Sequence, residues 1–174
     1  MVALVSGATV FSCTRDTLQK ISSAEILDRP EEEIRNLKIV YTSEGKLTNV
    51  VIAEKALMLR INDTALYIFP EGLYVASYKD SLMESDLKAD SATLRENPNF
   101  FTAVGNVVTR NVRTGKRMET EGPLYWHSGE KTIETKVYST IYTLTDTIYA
   151  KNGIFSDDKF TNVLLRKQSG TVFK

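Results

Sequence analysis

The chain has 174 residues, 42% hydrophobic and 25% charged, close to the averages for soluble globular proteins and enough for one domain with a sizeable core. Its 22 Lys and Arg balance 22 Asp and Glu, so the formal net charge is zero. That balance removes the electrostatic basis for binding nucleic acid, and one histidine cannot supply the imidazoles of the common zinc sites.

Residues 2–11 form an apolar, small-residue stretch about as long as the hydrophobic part of a signal peptide and too short to cross a bilayer as a helix. It ends in Val10-Phe11-Ser12-Cys13, which resembles a bacterial lipobox, with an aliphatic residue three places before the cysteine and a small one just before it. In such a motif the cysteine is acylated and becomes the first residue of the mature chain. Cys13 is the only cysteine, so it has no intrachain disulfide partner. No Lys or Arg precedes the stretch and Phe11 is bulky for its place, which leaves a buried first strand with an inert cysteine as the alternative. Residues 1–12 are expected to be a lipoprotein signal peptide, with the anchor on Cys13. Residues 13–33 are polar, with weak helical spacing of Leu18, Ile21 and Ile26, and are expected to be a tether with a boundary at Pro30.

From Ile34 the chain changes to alternating runs rich in Thr, Val, Ile and Tyr, the composition of pleated, half-buried surfaces. Runs 37–41 and 47–52 flank Ser43-Glu44-Gly45-Lys46 and predict a hairpin with Gly45 at positive φ. Further strands are predicted at 65–69, 73–76, 100–104, 106–110, 117–120, 124–126, 132–135, 140–143 and 163–166, parted by Gly, Pro and Asn turns. Segments 54–60 and 85–96 have a helix-compatible composition. Both are expected as strands, because a short phrase recurs across them. It starts at Ala53, Ala89, Thr120 and Ala150, in steps of 36, 31 and 30 residues: a small residue first, a polar one second, a small or turn-prone one fourth, then mostly apolar residues. Such a period suggests stacked copies of one unit that cannot bury its apolar face alone.

Alternation places Leu124 and Trp126 on one strand face and Tyr125 on the other. Ile133 can share that face beyond the Ser128-Gly129 turn, Val137 lies four positions further on, and Val107 shares a face with Thr109. Stacked over several units these faces make either a continuous apolar trough or an ordinary sealed sandwich core. Catalytic patterns are absent from the sequence: it holds no Gly-x-Ser-x-Gly elbow, P-loop or dinucleotide fingerprint, and His127 reads as a turn residue. No enzymatic activity and no cofactor are expected. The basic residues Arg110, Arg113, Lys116 and Arg117, like Arg166 and Lys167, read as solvated hairpin or strand ends.

Ala103-Val104-Gly105-Asn106-Val107-Val108, Thr114-Gly115, Glu119-Thr120, Leu124-Tyr125-Trp126 and residues 130–135 together resemble the core signature of the LptC family, periplasmic lipopolysaccharide-export proteins of Gram-negative bacteria related to the LptA bridge protein. The likeness covers residues 34–174 and includes the last phrase, 147–155 with Phe160. It implies an all-β domain, a twisted open β-jellyroll of antiparallel strands whose apolar interior groove holds acyl chains. Val107, Leu124, Trp126, Ile133 and Val137 are the candidate groove residues. The implied partners are lipopolysaccharide, an inner-membrane ATP-driven transporter and an LptA-like bridge protein. The implied place is the periplasm, at the inner membrane through lipidated Cys13, where better-known members use a transmembrane helix. Thr161, Val163 and Leu165 mark a candidate edge strand for adding a partner's strand. The alternative for that segment is a covered edge guarded by Arg166 and Lys167.

Overall fold

A computed structural model describes residues 30–61, 63–96, 100–158, 162–165 and 168–171. The expected signal peptide, Cys13, the tether up to residue 29 and Thr161 lie outside the described residues. Among the described residues the chain is all-β, sixteen strands in one antiparallel sheet. They are β1 (Glu32–Ser43), β2 (Lys46–Ile61), β3 (Thr64–Phe69), β4 (Leu73–Lys79), β5 (Leu82–Ala89), β6 (Ser91–Arg95), β7 (Phe100–Val104) and β8 (Val107–Asn111). Then come β9 (Arg117–Thr120), β10 (Leu124–His127), β11 (Thr132–Thr135), β12 (Ser139–Tyr142), β13 (Thr147–Ala150), β14 (Ile154–Asp157), β15 (Val163–Leu165) and β16 (Gln168–Thr171).

Both helix-compatible segments are strand, as expected: 54–60 inside β2 and 85–96 across β5 and β6. The ordered sheet starts before the predicted boundary at Ile34. Glu32 and Glu33 already pair with Met58 and Leu57, and the Glu31 N–H donates to the Met58 carbonyl at 2.8 Å. The sheet also runs past the predicted last strand, since β16 pairs with β13.

Strand pairing explains the recurring phrase. β2 lies against β1 along one edge, and along the other it meets β4 over 49–52 and β3 over 57–61. β3 and β4 are therefore two halves of one long strand, bent at residues 70–72. The same bend separates β5 from β6, β7 from β8, β9 from β10, β11 from β12 and β13 from β14, each half pairing with the matching half of its neighbour. The molecule is an antiparallel up-and-down meander folded across its strands along a crease, giving two leaves. Leaf A holds the first half of β2 with β4, β5, β8, β9, β12, β13 and β16. Leaf B holds the second half with β3, β6, β7, β10, β11, β14 and β15. Each phrase marks a bend from leaf A into leaf B, and its spacing is one down-and-up period of the meander. The hydrogen-bond ladder crosses the crease unbroken where the Asp90 N–H donates to the Gly105 carbonyl and the Gly105 N–H to the Glu121 carbonyl, both at 2.9 Å.

The core lies between the leaves. Small side chains flank the crease, Ala53 and Ala56, Ala89 and Ala92, Ala103, Thr120, Thr135, Ser139 and Ala150, all buried. Facing leaves are closest there, and bulky residues would prise them apart. One step out, larger apolar side chains fill the widening gap: Val75, Leu87, Met118, Ile141 and Ile148 from leaf A, Leu94, Phe101, Trp126 and Ile133 from leaf B. A fully buried Leu or Ile in this layer contributes about 1.5–3 kcal/mol.

Candidate functional site

The two inner rows of each leaf make one continuous apolar seam that follows the crease from β1 to β15. In the middle it is filled by its own side chains: Val107 is 0% exposed, and Leu124 and Met118 are 1% exposed. Towards both ends the same rows become half-buried, at Ile34, Leu37 and Val51 on one side and Val163 and Leu165 on the other. No described strand covers the outer edge of β1, β15 or β16. The seam ends are thus apolar and uncapped among the described residues.

A polar lip borders the seam. One step beyond Val51, Val75, Leu87 and Thr109 on leaf A come Asn49, Ser77, Ser85 and Asn111, in register across β2, β4, β5 and β8. The Ser77 hydroxyl donates to Asn49 Oδ1 at 2.9 Å, and Asn111 Oδ1 accepts the Thr114 N–H at 2.9 Å. On leaf B, Arg60 and Glu96 close the end of the β3–β6 pair. Tyr67, on the inner face of β3, has its pKa raised by burial and then by the Glu96 charge, which favours the neutral phenol. Each leaf is therefore mostly apolar for two residues from the crease, with Thr109, Thr120, Thr135, Ser139 and Ser156 as buried polar exceptions, and the lip residues beyond are polar.

Four of the five residues nominated from sequence lie on this seam. Leu124 and Trp126 face inward on β10, Ile133 pairs with Trp126, and Val107 sits across the crease on leaf A. Val137 differs: it lies in the bend between β11 and β12, half-buried, because the strand ends at Thr135 before alternation can carry 137 onto the inner face. Tyr125 points outward and stacks on Phe100 at 5.7 Å, and His127 is the last residue of β10, its ring 5.0 Å from that of Phe100. Trp126 meets Phe101 edge-on at 6.2 Å. Its Nε1 is buried without a hydrogen-bond partner, as is the Ser156 hydroxyl on the same inner row of β14. Met118, Leu94, Phe101 and Ile154 belong to the seam but were not singled out in the sequence. Their signal was alternation combined with the bend, which reverses which leaf a given phase faces.

The outer face of leaf A is held by charge pairs. Asp86 is 5% exposed, beneath Arg110, whose Nε donates to Oδ1 at 2.9 Å and whose Nη2 donates to Oδ2. The Tyr74 hydroxyl donates to Oδ2 of the same carboxylate at 3.3 Å. Burial and then the Asp86 charge raise the Tyr74 pKa, and the Asp86 hydrogen bond raises that of Arg110. Next along, the Tyr142 hydroxyl donates to Glu119 at 3.0 Å, which raises its pKa, with the Arg117 guanidinium 4.5 Å from the Tyr142 ring centre. Lys55 holds Glu33 below the usual carboxylate range where β1 meets β2. These pairs brace the sheet. Among the described residues no helix is long and apolar enough to cross a membrane.

Fold and seam together define the class: a twisted, open antiparallel β-jellyroll with an apolar interior groove. Comparison with protein-family models and with curated proteins finds no match for this chain.

Proposed function

We propose that the protein is a lipid-conducting component of lipopolysaccharide export, a carrier rather than an enzyme. It accepts lipopolysaccharide from an inner-membrane ATP-driven transporter and passes it along a periplasmic β-jellyroll bridge towards the outer membrane. The observation that carries this reading is the seam, mostly apolar along the crease, bordered by polar residues and, among the described residues, uncapped at both ends. Burying each acyl methylene is worth about 0.8 kcal/mol, so such a seam holds a chain without directional bonds and lets it slide. The sequence supports the same reading through Gly105-Asn106-Val107-Val108 and Leu124-Tyr125-Trp126, the segments that resemble the LptC family. In this scheme Val107, Leu124, Trp126 and Ile133 line the path, the β15 edge at Val163 and Leu165 receives the bridge protein's strand, and acylated Cys13 tethers the chain to the inner membrane.

The packing of the central seam favours a second reading, a lipid-anchored sandwich that serves as a surface scaffold with a permanently closed core. Photocrosslinking in cells separates the two. A photoreactive side chain replaces Trp126, with Tyr125 on the outer face as control. Lipopolysaccharide adducts at 126 and not at 125 are expected. A folded, exported protein with no adduct at either position leaves the scaffold reading.

A further inference from the structure

The basic cluster noted in the sequence has no role in the seam. It sits on the rim formed by the leaf A hairpin turns, at 44–45, 80–81, 112–116 and 143–146. Three successive turns each project an aliphatic side chain into solvent: Leu82 is 75% exposed, Val112 48% and Leu144 86%. Single exposed aliphatics are ordinary, but a row of them on one rim is not. The turns touch, since a Cβ on Gly115 would lie 3.0 Å from Leu144 Cδ2, and a cleft of about 340 Å³ opens between Met83, Val112, Arg110 and Arg117.

Charge distinguishes this rim from the other. Segments 43–46, 79–83, 112–117 and 143–146 carry Lys46, Lys79, Arg113, Lys116 and Arg117 against Glu44, Asp80 and Asp146. Asp80 is engaged by Lys46 at 3.3 Å. Arg113 reaches Glu84 at 3.7 Å, and Arg117 reaches Glu119 at 2.8 Å with its guanidinium 4.5 Å from the Tyr142 ring centre. The described turns of the leaf B rim, with the strand residues that flank them, carry Asp63, Glu96, Glu130, Asp157 and Asp158 against Arg95 and Lys131, and no large exposed aliphatic. One rim is apolar and cationic, the other polar and anionic.

We propose that the leaf A rim docks on the surface of an anionic lipid membrane. Leu82, Val112 and Leu144 enter the headgroup layer, and Lys79, Arg113, Lys116 and Arg117 face the lipid phosphates. The rim runs parallel to the crease, so docking lays the seam along the membrane surface and leaves the end strands free. The inference is independent of what the seam carries.

The test uses the full chain with Cys13→Ser, an environment-sensitive fluorophore on Leu144→Cys, and a second version labelled on Glu130→Cys at the opposite rim. Vesicles of phosphatidylcholine mixed with phosphatidylglycerol are expected to shift the 144 probe to the blue and leave the 130 probe unmoved. Pure phosphatidylcholine is expected to move neither. Each basic side chain near an anionic surface strengthens binding about fivefold, so Arg113→Glu with Lys116→Glu is expected to weaken it by at least about twentyfold. Leu82→Ser, at an exposed site, weakens it independently of charge. Binding through the amino-terminal apolar stretch alone would leave the 144 probe unshifted and overturn the proposal. So would equal shifts at 144 and 130, or affinity unchanged in both the charge-reversed and the Leu82→Ser proteins.

Discussion

Gly153 turns the chain at the β13–β14 bend with φ +80°, and a Cβ there would fall on the Thr135 carbonyl of the neighbouring bend. Gly45 in the first hairpin has φ +74° but nothing within 4 Å. Gly153→Ala combines left-handed strain with a backbone collision and is expected to cost about 3 kcal/mol, whereas Gly45→Ala carries the strain alone, about 1 kcal/mol. Urea unfolding midpoints check this, and equal losses at the two sites would mean that the bends are not in close contact. On the outer face, Arg110→Ala leaves the Asp86 carboxylate buried with Tyr74 alone. Water reaches half of the Arg110 side chain, so the loss is expected at about 2 kcal/mol, below the range for a fully buried pair. Tyr74 also gives a pH signature. Its raised folded pKa means that the native state keeps a proton that the unfolded chain releases. That contribution is complete below about pH 10 and is lost as pH rises through the folded value. Tyr74→Phe should therefore flatten part of the alkaline fall in stability, with Tyr67 and Tyr142 keeping their shares. An unaltered slope would assign the fall to other groups.

At the scale of the element, proline at β15 is the informative change. Adjacent strand residues point their N–H groups to opposite edges, so of Val163→Pro and Leu164→Pro one blocks only the free edge while the other removes a bond to β14. The free-edge variant is expected to stay folded and lose capture of a bridge-protein strand; capture retained by both folded variants would move the docking edge elsewhere, to β16 or β1. Much of this architecture was legible beforehand. Alternation of Val, Ile, Thr and Tyr marked most of the strands but not β13, β14 or β16, Gly45 marked the first turn, and a period near 31 residues marked a repeating unit. The bend was not legible. Each long strand reads as two short ones separated by Gly or a charged residue, and nothing local tells a crease from a hairpin turn. Val137 was misplaced for that reason: alternation counted through the 136–138 bend as though the strand continued. The small residues at 53, 56, 89, 92 and 150 were noticed as a motif. Their cause, two leaves meeting at a crease, needs pairings between residues far apart in sequence, such as Leu73 with Ala89 and Val107 with Thr120. Asp86 was equally opaque, because a charged residue in an alternating strand reads as solvent-facing until Arg110 and Tyr74 are placed over it.

For the whole molecule, the crease decides how a cargo can enter. Among the described residues the meander closes no barrel: its leaves join along the crease, and their far rims carry separate sets of turns. The interior is packed shut at Met118, Leu124 and Ile154, so under the proposed function an acyl chain would enter where packing is loosest, at the ends uncapped among the described residues, or by spreading the rims while the crease holds. Spreading separates the two leaves side chain from side chain and breaks no strand ladder, since every ladder runs within a leaf or across the crease. The cost is the apolar contact between leaves, which an entering acyl chain would restore, so under the proposed function opening and filling would be coupled. Trp126 reports on this step. It is the only tryptophan, half-buried on the seam, and its unpartnered Nε1 is already out of water. Fatty acids brominated along the chain are therefore expected to quench its emission in proportion to occupancy, while iodide in the buffer quenches it less as the seam fills. Leu94→Glu, a charge on the inner row beside Phe101, should abolish the bromine quenching, and Lys88→Glu, on the outer face of leaf A beside Val108, should leave it intact. Bromine quenching that survives Leu94→Glu in a folded protein would put the lipid on the outside of the leaves and refute entry into the seam.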